Sequence, residues 1–190
     1  MKMEQLARAT RSCRRFQQEQ TVAAEPLRRL IDLARLGGSA KNLQPLKYLA
    51  VSTPEKNATI FSHLGWAGYL PEWPGPMEGE RPAAYIICLL DTRIAEEAAC
   101  DLGIASQNIL LGATELGLAG CRIASISGKL HQTLNLPEHL NILLVIALGV
   151  PKERICLAEA EPDDDIRYWR TPDQTHHVPK RRLADIIIEG

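Results

Sequence analysis

The sequence predicts an α+β fold, in which helices and strands are mixed without the regular strand–helix–strand alternation of a doubly wound domain. A continuous apolar run at 83–90 is typical of a strand buried on both faces. A second strong strand pattern covers 141–149, and the longest helical pattern, 94–116, lies between the two. No G-x-G-x-x-G segment follows a predicted strand, and Gly117 to Gly120 come after a helix, so a nicotinamide-binding Rossmann domain is not expected.

The other elements follow from local patterns. Pro26 suits the first turn of a helix that Gly37 and Gly38 then end. Small residues on the long helix would let another helix approach closely, namely Gly103, Ser106 and Gly112. In chain order, the remaining predictions are a short helix at 3–10, a helix at 26–36, a strand at 48–52, a helix from 53–54 to about 63, a strand at 121–126, a helix opened by Ser127 and a final strand at 184–189.

Two long stretches have no clear periodicity, 65–82 and 157–179. The first contains the aromatic residues Trp66, Tyr69 and Trp73, which a solvated linker would not carry. We therefore expect a lid-like binding loop at 65–82. The three aromatic side chains would either wall a pocket for a flat substrate or only seal the core beneath the loop.

Composition limits the class of protein. A chain of 190 residues with 45% apolar content suits one domain, 1–190. The net charge of −1 argues against nucleic-acid or membrane-surface partners. No apolar run reaches the roughly 18–20 residues of a membrane span, and the start of the chain does not resemble a signal peptide, so a cytoplasmic protein is expected.

The cysteines and histidines do not predict a metal site. The five cysteines include no C-x-x-C pair, which fits reduced and mostly buried thiols. The adjacent His176 and His177 would point to opposite faces of a strand. No metal is therefore expected.

Two short polar segments, 11–14 and 39–45, are the candidate binding segments. Arg11 and Arg14, with Ser12 between them, would form charge-assisted bonds to a phosphate and a carbonyl edge, or would only be the solvated cations of a helix end. Asn42 and Gln44 would bond a polyol or a ring edge, or only form a turn.

A second basic cluster lies near the end of the chain. Lys180 and Arg182 would form another phosphate clamp or a basic surface. No nucleophile–base pair stands out, which is expected of an enzyme whose cofactor carries the chemistry. Together these groups suit a phosphorylated cofactor.

Five stretches stand out along the chain: TRSCRRF at 10–16, GSAKNLQPL at 38–46, GLAGCRIA at 117–124, LP at 136–137 with ALGVP at 147–151, and KRR at 180–182. In these stretches and their order, the chain resembles the FMN-dependent nitroreductase family over nearly its whole length. It departs from the family pattern at Thr10, Gly38 and Leu46, where the family has a basic residue, Pro and Trp.

The resemblance implies a nitroreductase-like fold with a central, mostly antiparallel sheet flanked by helices. It also implies an interlocked homodimer with an exchanged C-terminal segment and FMN sites at the subunit interface. The implied cofactor-binding residues are Arg11, Ser12, Lys180 and Arg182 at the phosphate and ribityl chain, Arg14 at the pyrimidine edge, Ile123 and Ala124 at the N5–O4 side, and Ser39, Asn42 and Gln44 from the partner.

The activity that the resemblance implies is reduction of nitroaromatics, quinones or related acceptors, with NADH or NADPH as hydride donor and a ping-pong mechanism. Arg14 would tune the flavin by stabilising negative charge. One alternative is a reductive dehalogenase, whose lid would use Glu, Tyr and Lys; the 65–82 loop has Tyr69, Glu72, Glu78 and Glu80 but no Lys. Another is a flavin-binding protein without catalysis.

Overall fold

The centre of the protein is a four-stranded antiparallel sheet of order β1-β2-β4-β3. The structure, a computed structural model, describes residues 1–188 and 190. The central strands of this sheet carry the two apolar runs that the sequence predicts as strands. The strand bounds are Leu46–Val51 for β1, Ala84–Asp91 for β2, Ala119–Ile123 for β3 and Leu140–Gly149 for β4.

Strand β2 is buried along its whole length, as its unbroken apolar run predicts. Its side chains alternate between two hydrophobic clusters, one on each face of the sheet. Ile86 belongs to the cluster formed with the long helices, and Tyr85 belongs to the cluster on the opposite face. The sheet is therefore covered on both sides, which confirms the predicted α+β class.

The helices agree with the predictions in place and type. One correction concerns the long helix, which begins at Ala99 and not at Ile94. Both carboxylate oxygens of Asp91 accept hydrogen bonds from Arg93, which holds the chain in a turn after β2. The helix bounds are Met3–Ala9 for α1, Ala24–Arg35 for α2, Pro54–Phe61 for α3, Ala99–Glu115 for α4 and Leu130–Thr133 for α5.

The small residues of α4 have different roles. A Cβ at Gly112 would contact Leu33 Cδ1 and, at 3.0 Å, Leu30 Cδ2, both on α2. Ser106 is buried and its hydroxyl accepts a hydrogen bond from Arg122 Nε at 2.7 Å. Gly103 faces open space. Gly112 therefore permits the close approach of α2 within the same chain.

The prediction that 157–179 is irregular is wrong for the parts of this region that form strands. A second sheet of three strands, in the order β5-β7-β6, takes up 157–160, 169–170 and 176–179, and the segments between these strands are irregular. Strand β5 pairs in parallel with β7. Neither strand has the regular alternation of apolar and polar residues by which a strand is recognised in the sequence, because charged residues interrupt the pattern in both. The bounds are Ile155–Ala160 for β5, Trp169–Arg170 for β6 and His176–Arg181 for β7.

The predicted final strand at 184–189 is also wrong over its described part. A short 3₁₀ helix, Leu183–Asp185, follows β7, and Ile186 to Ile188 are exposed and outside any strand. Arg182 binds both carboxylate oxygens of Asp185, which closes a turn at the end of the sheet. Glu189 lies outside the described residues.

Other expectations concern cysteines, metals and membranes. Cys13, Cys88 and Cys121 are buried, Cys156 is half-buried and Cys100 is exposed, and all five thiols are free. Among the described residues, no cluster of ligating side chains could hold a metal ion. Nor is any described helix long and apolar enough to cross a membrane.

Candidate active site

The predicted residue Arg14 lies at the bottom of a cleft at the end of β3. The cleft has a volume of about 320 Å³, near the lower end of the range for ligand pockets. It brings Arg14 together with three other predicted residues, Ile123, Ala124 and Trp66. The backbone positions this arrangement, because the segment that carries Arg14 pairs with the start of β3 through a Ser12–Gly120 bridge. We call this the Arg14 cleft.

Arg14 is 8% exposed and is held on several sides. Its guanidinium carbon lies 4.6 Å from the centre of the Tyr168 ring. Its Nη1 lies 3.2 Å from His176 Nε2. Its backbone N–H donates to Glu153 Oε2 at 2.8 Å. These contacts fix the position of the side chain. A fixed position is required if its positive charge is to stabilise negative charge on a bound ligand.

A second ion pair supports this arrangement from behind. Arg170 Nη2 donates to Glu153 Oε1 at 2.6 Å, and the Glu153 side chain is fully buried. The guanidinium of Arg170 stacks on Trp73, 4.5 Å from the ring centre. Trp73 thus belongs to the support behind Arg14, whereas the sequence placed it among the substrate-binding residues.

The cleft is electropositive. Its lining residues include Arg14 and Arg122 and no acidic side chain. Burial lowers the pKa of Arg122, and a guanidinium remains charged nonetheless. Burial also raises the pKa of Cys121, so that this thiol stays protonated and is not a nucleophile. The cleft therefore suits a ligand edge rich in carbonyl oxygens and ring nitrogens.

The loop 65–82 contributes one wall and is anchored at both ends. Gly65 N–H donates to Ser125 O at 2.8 Å, and a Cβ at Gly65 would collide with the Ser125 side chain, so the close approach needs glycine. At the other end, Glu80 accepts two hydrogen bonds of 2.6 Å from Arg15. Among its aromatic residues, Trp66 lines the Arg14 cleft. The 56% exposed Tyr69 packs its ring 5.0 Å from that of Tyr168.

The phosphate-binding residues predicted at the two ends of the chain, Arg11 near the start and Lys180 and Arg182 near the end, make contacts with different parts of the protein. Arg11 donates from Nη2 to Ala7 O at 2.6 Å, and its buried Nε has no partner among the described residues. Lys180 is exposed on β7. Arg182 forms ion pairs with Glu161 at 2.7 Å and Asp185 at 3.0 Å. A phosphate at Arg182 would have to displace one of these carboxylates.

The segment predicted to come from the partner lies elsewhere in the same chain. Ser39 Oγ donates to Asp101 Oδ2 at 2.5 Å and accepts from the Gln44 N–H at 2.8 Å. Lys41, Asn42 and Gln44 have φ angles of 51°, 55° and 52°, which is rare for residues other than glycine and concentrates at functional sites. Among the described residues, the pocket beside this segment shares no lining residue with the Arg14 cleft.

Several residues of the site were missed by the sequence reasoning. They come from distant positions. Two signals were available: Arg122 lies in the 117–124 segment that carries the family resemblance, and Tyr168 and Arg170 belong to an aromatic and basic run at 167–170. The missed residues are Asp101, Arg122, Glu153, Tyr168, Arg170 and His176.

The donor groups of the Arg14 cleft fit the flavin ring of FMN. The cleft offers a fixed guanidinium and the backbone at the end of β3, and Trp66 forms part of its wall.

Comparisons with known proteins agree with this fit. Residues 7–150 match the model of the nitroreductase family. A Methanothermobacter thermautotrophicus protein named "Putative NADH dehydrogenase/NAD(P)H nitroreductase" is 31% identical over 156 residues, covering 75% of this chain and 74% of that protein. The "FMN reductase (NADPH)" of Bacillus subtilis is 26% identical over 156 residues, covering 74% of this chain and 62% of that protein.

A solved structure matches the entire fold. The nitroreductase family protein of Streptococcus pneumoniae aligns with a TM-score of 0.70 and 20% identity, and the alignment covers 100% of both chains. This match shows the fold, and the family model together with the 31% identical relative confirms the resemblance inferred from five short sequence segments. The chain belongs to the nitroreductase family.

Proposed function

We propose that this chain is an FMN-dependent NAD(P)H oxidoreductase that reduces nitroaromatic or quinone acceptors. The observation that carries the proposal is the fixed guanidinium of Arg14 in an electropositive cleft beside Ile123 and Ala124. Family membership supports the activity, and the relatives' names supply the cofactor and the donor. Bound FMN would supply the hydride acceptance and donation that none of these side chains can perform.

The residues of the chain would bind and polarise the cofactor. Arg14 would hold the pyrimidine edge, and its positive charge would stabilise negative charge that develops there. Because Arg14 is buried and packed on Tyr168, water screens this charge poorly. The phosphate and ribityl chain would be held by Arg11 and Ser12 with Lys180 and Arg182.

The substrates would follow one another at the same cleft. Because the flavin ring would itself take up much of the cleft of about 320 Å³, donor and acceptor would bind over it in turn, which is a ping-pong mechanism. The aromatic surfaces of Trp66 and Tyr168 and the absence of acidic lining residues in the described cleft favour flat, electron-poor acceptors. Tyr69 would contact the outer part of such an acceptor, while Trp73 would act through Arg170.

We further propose that residues 1–190 form one FMN-binding domain with a lid-like loop at 65–82, and that two chains form an interlocked homodimer. The partner's 39–44 segment, with Ser39, Asn42 and Gln44, would complete each site. This is supported by the separation of that segment from the Arg14 cleft within one chain. Exchange of the C-terminal segment is supported by the exposure of Ile186 to Ile188.

The dehalogenase alternative has less support. Its lid would need a carboxylate, and both oxygens of Glu80 are bound by Arg15. Lys152 adds a third contact to Glu80 at 3.3 Å. Glu80 is therefore better explained as an anchor of the loop than as a substrate ligand. Glu78 pairs with Arg81 at 2.8 Å, and the loop has no Lys to bind a substrate carboxylate.

The test is the absorbance spectrum of the purified protein, followed by steady-state kinetics. We expect a yellow protein that releases FMN, not FAD, on denaturation. It should oxidise NADH or NADPH with 4-nitrobenzoate or 1,4-benzoquinone and give parallel double-reciprocal plots. A preparation that stays colourless after soaking in FMN would contradict the proposal. A yellow protein that does not oxidise either donor would instead be a flavin-binding protein without catalysis.

A further inference from the structure

Asp101 makes all the hydrogen bonds that join the segment 39–44 to the rest of the described chain. Its Oδ2 accepts from Ser39 Oγ at 2.5 Å, and its Oδ1 accepts from the Ala40 N–H at 3.0 Å. Every other described hydrogen bond of this segment joins two of its own residues. Asp101 is therefore the one polar anchor that the described structure gives to 39–44.

Burial contributes little to the shape of this segment. Residues 40–44 are exposed, and even the apolar Leu43 is 46% exposed. At the far end, the chain is fixed by the buried Pro45, whose carbonyl oxygen accepts from the Asp91 N–H at 2.9 Å. Packing thus holds the residue after the segment but not the segment itself.

The conformation of the segment is unfavourable without an anchor. Lys41, Asn42 and Gln44 have left-handed φ angles of 51°, 55° and 52°. Residues other than glycine rarely adopt this region, because the Cβ comes too close to the following carbonyl oxygen. Such residues keep this conformation only where the surrounding structure imposes it. Without the Asp101 contacts, we expect the exposed segment to sample other conformations.

Ser39 extends the anchor to the other end of the segment. Its hydroxyl donates to Asp101 and accepts from the Gln44 N–H at 2.8 Å, so one oxygen joins the first and last residues of 39–44. The second carboxylate oxygen of Asp101 binds the N–H of Ala40, where the 3₁₀ turn Ala40–Asn42 begins. The two contacts together therefore fix both the start of the turn and its closure.

Asp101 itself is rigidly placed. It is the third residue of the 17-residue helix α4, and it is 4% exposed. A carboxylate in the first turn of a helix is also stabilised by the helix dipole. An acidic residue at this position could therefore serve only the stability of α4, and the experiments below separate that role from the one we propose.

We propose that Asp101 is a positioning residue, which keeps the 39–44 segment in the conformation that contacts the cofactor. The part that concerns FMN rests on the proposed function, in which this segment completes the site of the partner subunit. A segment that is already ordered loses less conformational entropy on binding. If only a fraction of the molecules has the ordered segment, the apparent Kd for the cofactor rises by the inverse of that fraction.

The first test follows the segment without using the cofactor. In Asp101→Ala, the Ser39 hydroxyl and the Ala40 N–H lie near the surface, where water can pair them, so the variant should fold. The exposed Lys41 is a trypsin site within the segment. Cleavage after Lys41 in the full-length protein should become at least about tenfold faster, because trypsin cuts the opened segment. Cleavage after the exposed Lys129, in another turn, is the internal control and should keep its rate.

The second test measures the affinity for FMN by fluorescence titration. The Kd should rise about tenfold in Asp101→Ala. Asp101→Asn is the conservative variant, since its oxygen can accept from Ala40 and its NH₂ group can donate to Ser39 Oγ. This variant should keep both the Kd and the cleavage rate within about twofold of the wild type, because it loses the charge but not the contacts.

A glycine at position 41 should restore part of the affinity that Asp101→Ala loses. Glycine adopts positive φ without steric cost, so Lys41→Gly added to Asp101→Ala should lower the Kd for FMN by about threefold. Lys41→Ala removes the same charge but keeps a Cβ, and it should give no recovery. Neither substitution should improve binding when Asp101 is present, because the segment is then already ordered.

Several results would overturn the inference. Unchanged cleavage after Lys41 in Asp101→Ala would show that Asp101 does not order the segment, whether or not the protein binds FMN. Equal acceleration at Lys41 and Lys129 would show that Asp101 stabilises the fold in general. Faster cleavage with an unchanged Kd would remove the link to the cofactor. A tenfold loss of affinity in Asp101→Asn would assign the effect to charge and not to position.

Failure of the proposed function gives a different result. A wild-type protein that does not bind FMN would refute that function, while the trypsin experiment would still decide whether Asp101 orders the segment.

Discussion

His176 Nε2 accepts a hydrogen bond from Arg14 Nη1 at 3.2 Å, although the two residues are 162 positions apart. A guanidinium can only donate, so Nε2 carries no proton and the neutral ring is protonated at Nδ1. Burial, followed by the positive charges of Arg14 and Arg170, lowers the pKa of His176 to about 4. The imidazole is thus a neutral support that fixes the position of the arginine.

This relationship predicts a pH dependence of stability. The unfolded histidine titrates near 6.5, and the folded one near 4. Between these values the unfolded state binds a proton that the folded state does not, so the free energy of unfolding should fall as the pH falls from about 6.5 to about 4. Urea unfolding at several pH values measures the slope.

His176→Gln is the matched variant, because its side-chain oxygen can still accept from Arg14 and does not titrate. The wild type should lose more stability than this variant over the same pH range. Carboxylates that titrate there are common to both proteins and cancel in the difference. Parallel curves for the two proteins would show that His176 is not the responsible group.

The role of Arg14 can be separated from cofactor affinity. In Arg14→Ala, we expect flavin reduction by NADH or NADPH to slow by about 10- to 100-fold, because a fixed positive charge is lost. The Kd for FMN should change less. Stopped-flow reduction and fluorescence titration give the two numbers.

Arg29→Ala is the control for this experiment, since Arg29 is exposed and pairs with Glu115 on the surface, away from both binding segments. It should change neither quantity. If the rate of Arg14→Ala recovers fully with added FMN, Arg14 acts through binding alone.

Two glycines of α4 make a pair with opposite expectations. Gly112→Ala should lower the free energy of unfolding by about 1–3 kcal/mol, because the new methyl group overlaps Leu33 and presses on the fully buried Leu30. Gly103→Ala should raise it by about 0.5–1 kcal/mol, since open space surrounds that position and alanine favours the helix. Urea unfolding measures both. Destabilisation by Gly103→Ala would place that face of α4 in an interface.

The protein should not function as a monomer. Ile188 is 95% exposed, and Leu183, Ile186 and Ile187 are exposed beside it, which is unusual for a free surface. An interlocked interface should bury more than about 2,000 Å². Dilution should then release FMN and dissociate the dimer together. Light scattering combined with flavin fluorescence measures both events, and an active, FMN-bound monomer would refute the arrangement.

The sequence alone determined the parts of the fold that depend on local patterns. The apolar run at 83–90 predicted a strand covered on both faces, and the helical apolar spacing of α2, with glycines after it, predicted where that helix ends. Arg14, Ile123 and Ala124 could be assigned to one site through the family resemblance of short segments, and the structure brings them to one cleft.

Tertiary structure decided everything that depends on contacts between distant residues. Strand β5 is recognisable only beside β7, because its own residues lack alternation and its partner lies about 20 positions away. Asp101 is hydrogen-bonded to Ser39, 62 positions away in the sequence, and His176 is hydrogen-bonded to Arg14, 162 positions away. The unpaired buried polar atoms of Asn57, Arg81 and Tyr85 are likewise recognisable only in the folded chain. Local propensity and periodicity describe how a segment folds, whereas hydrogen-bond partners and burial are properties of the whole packed chain.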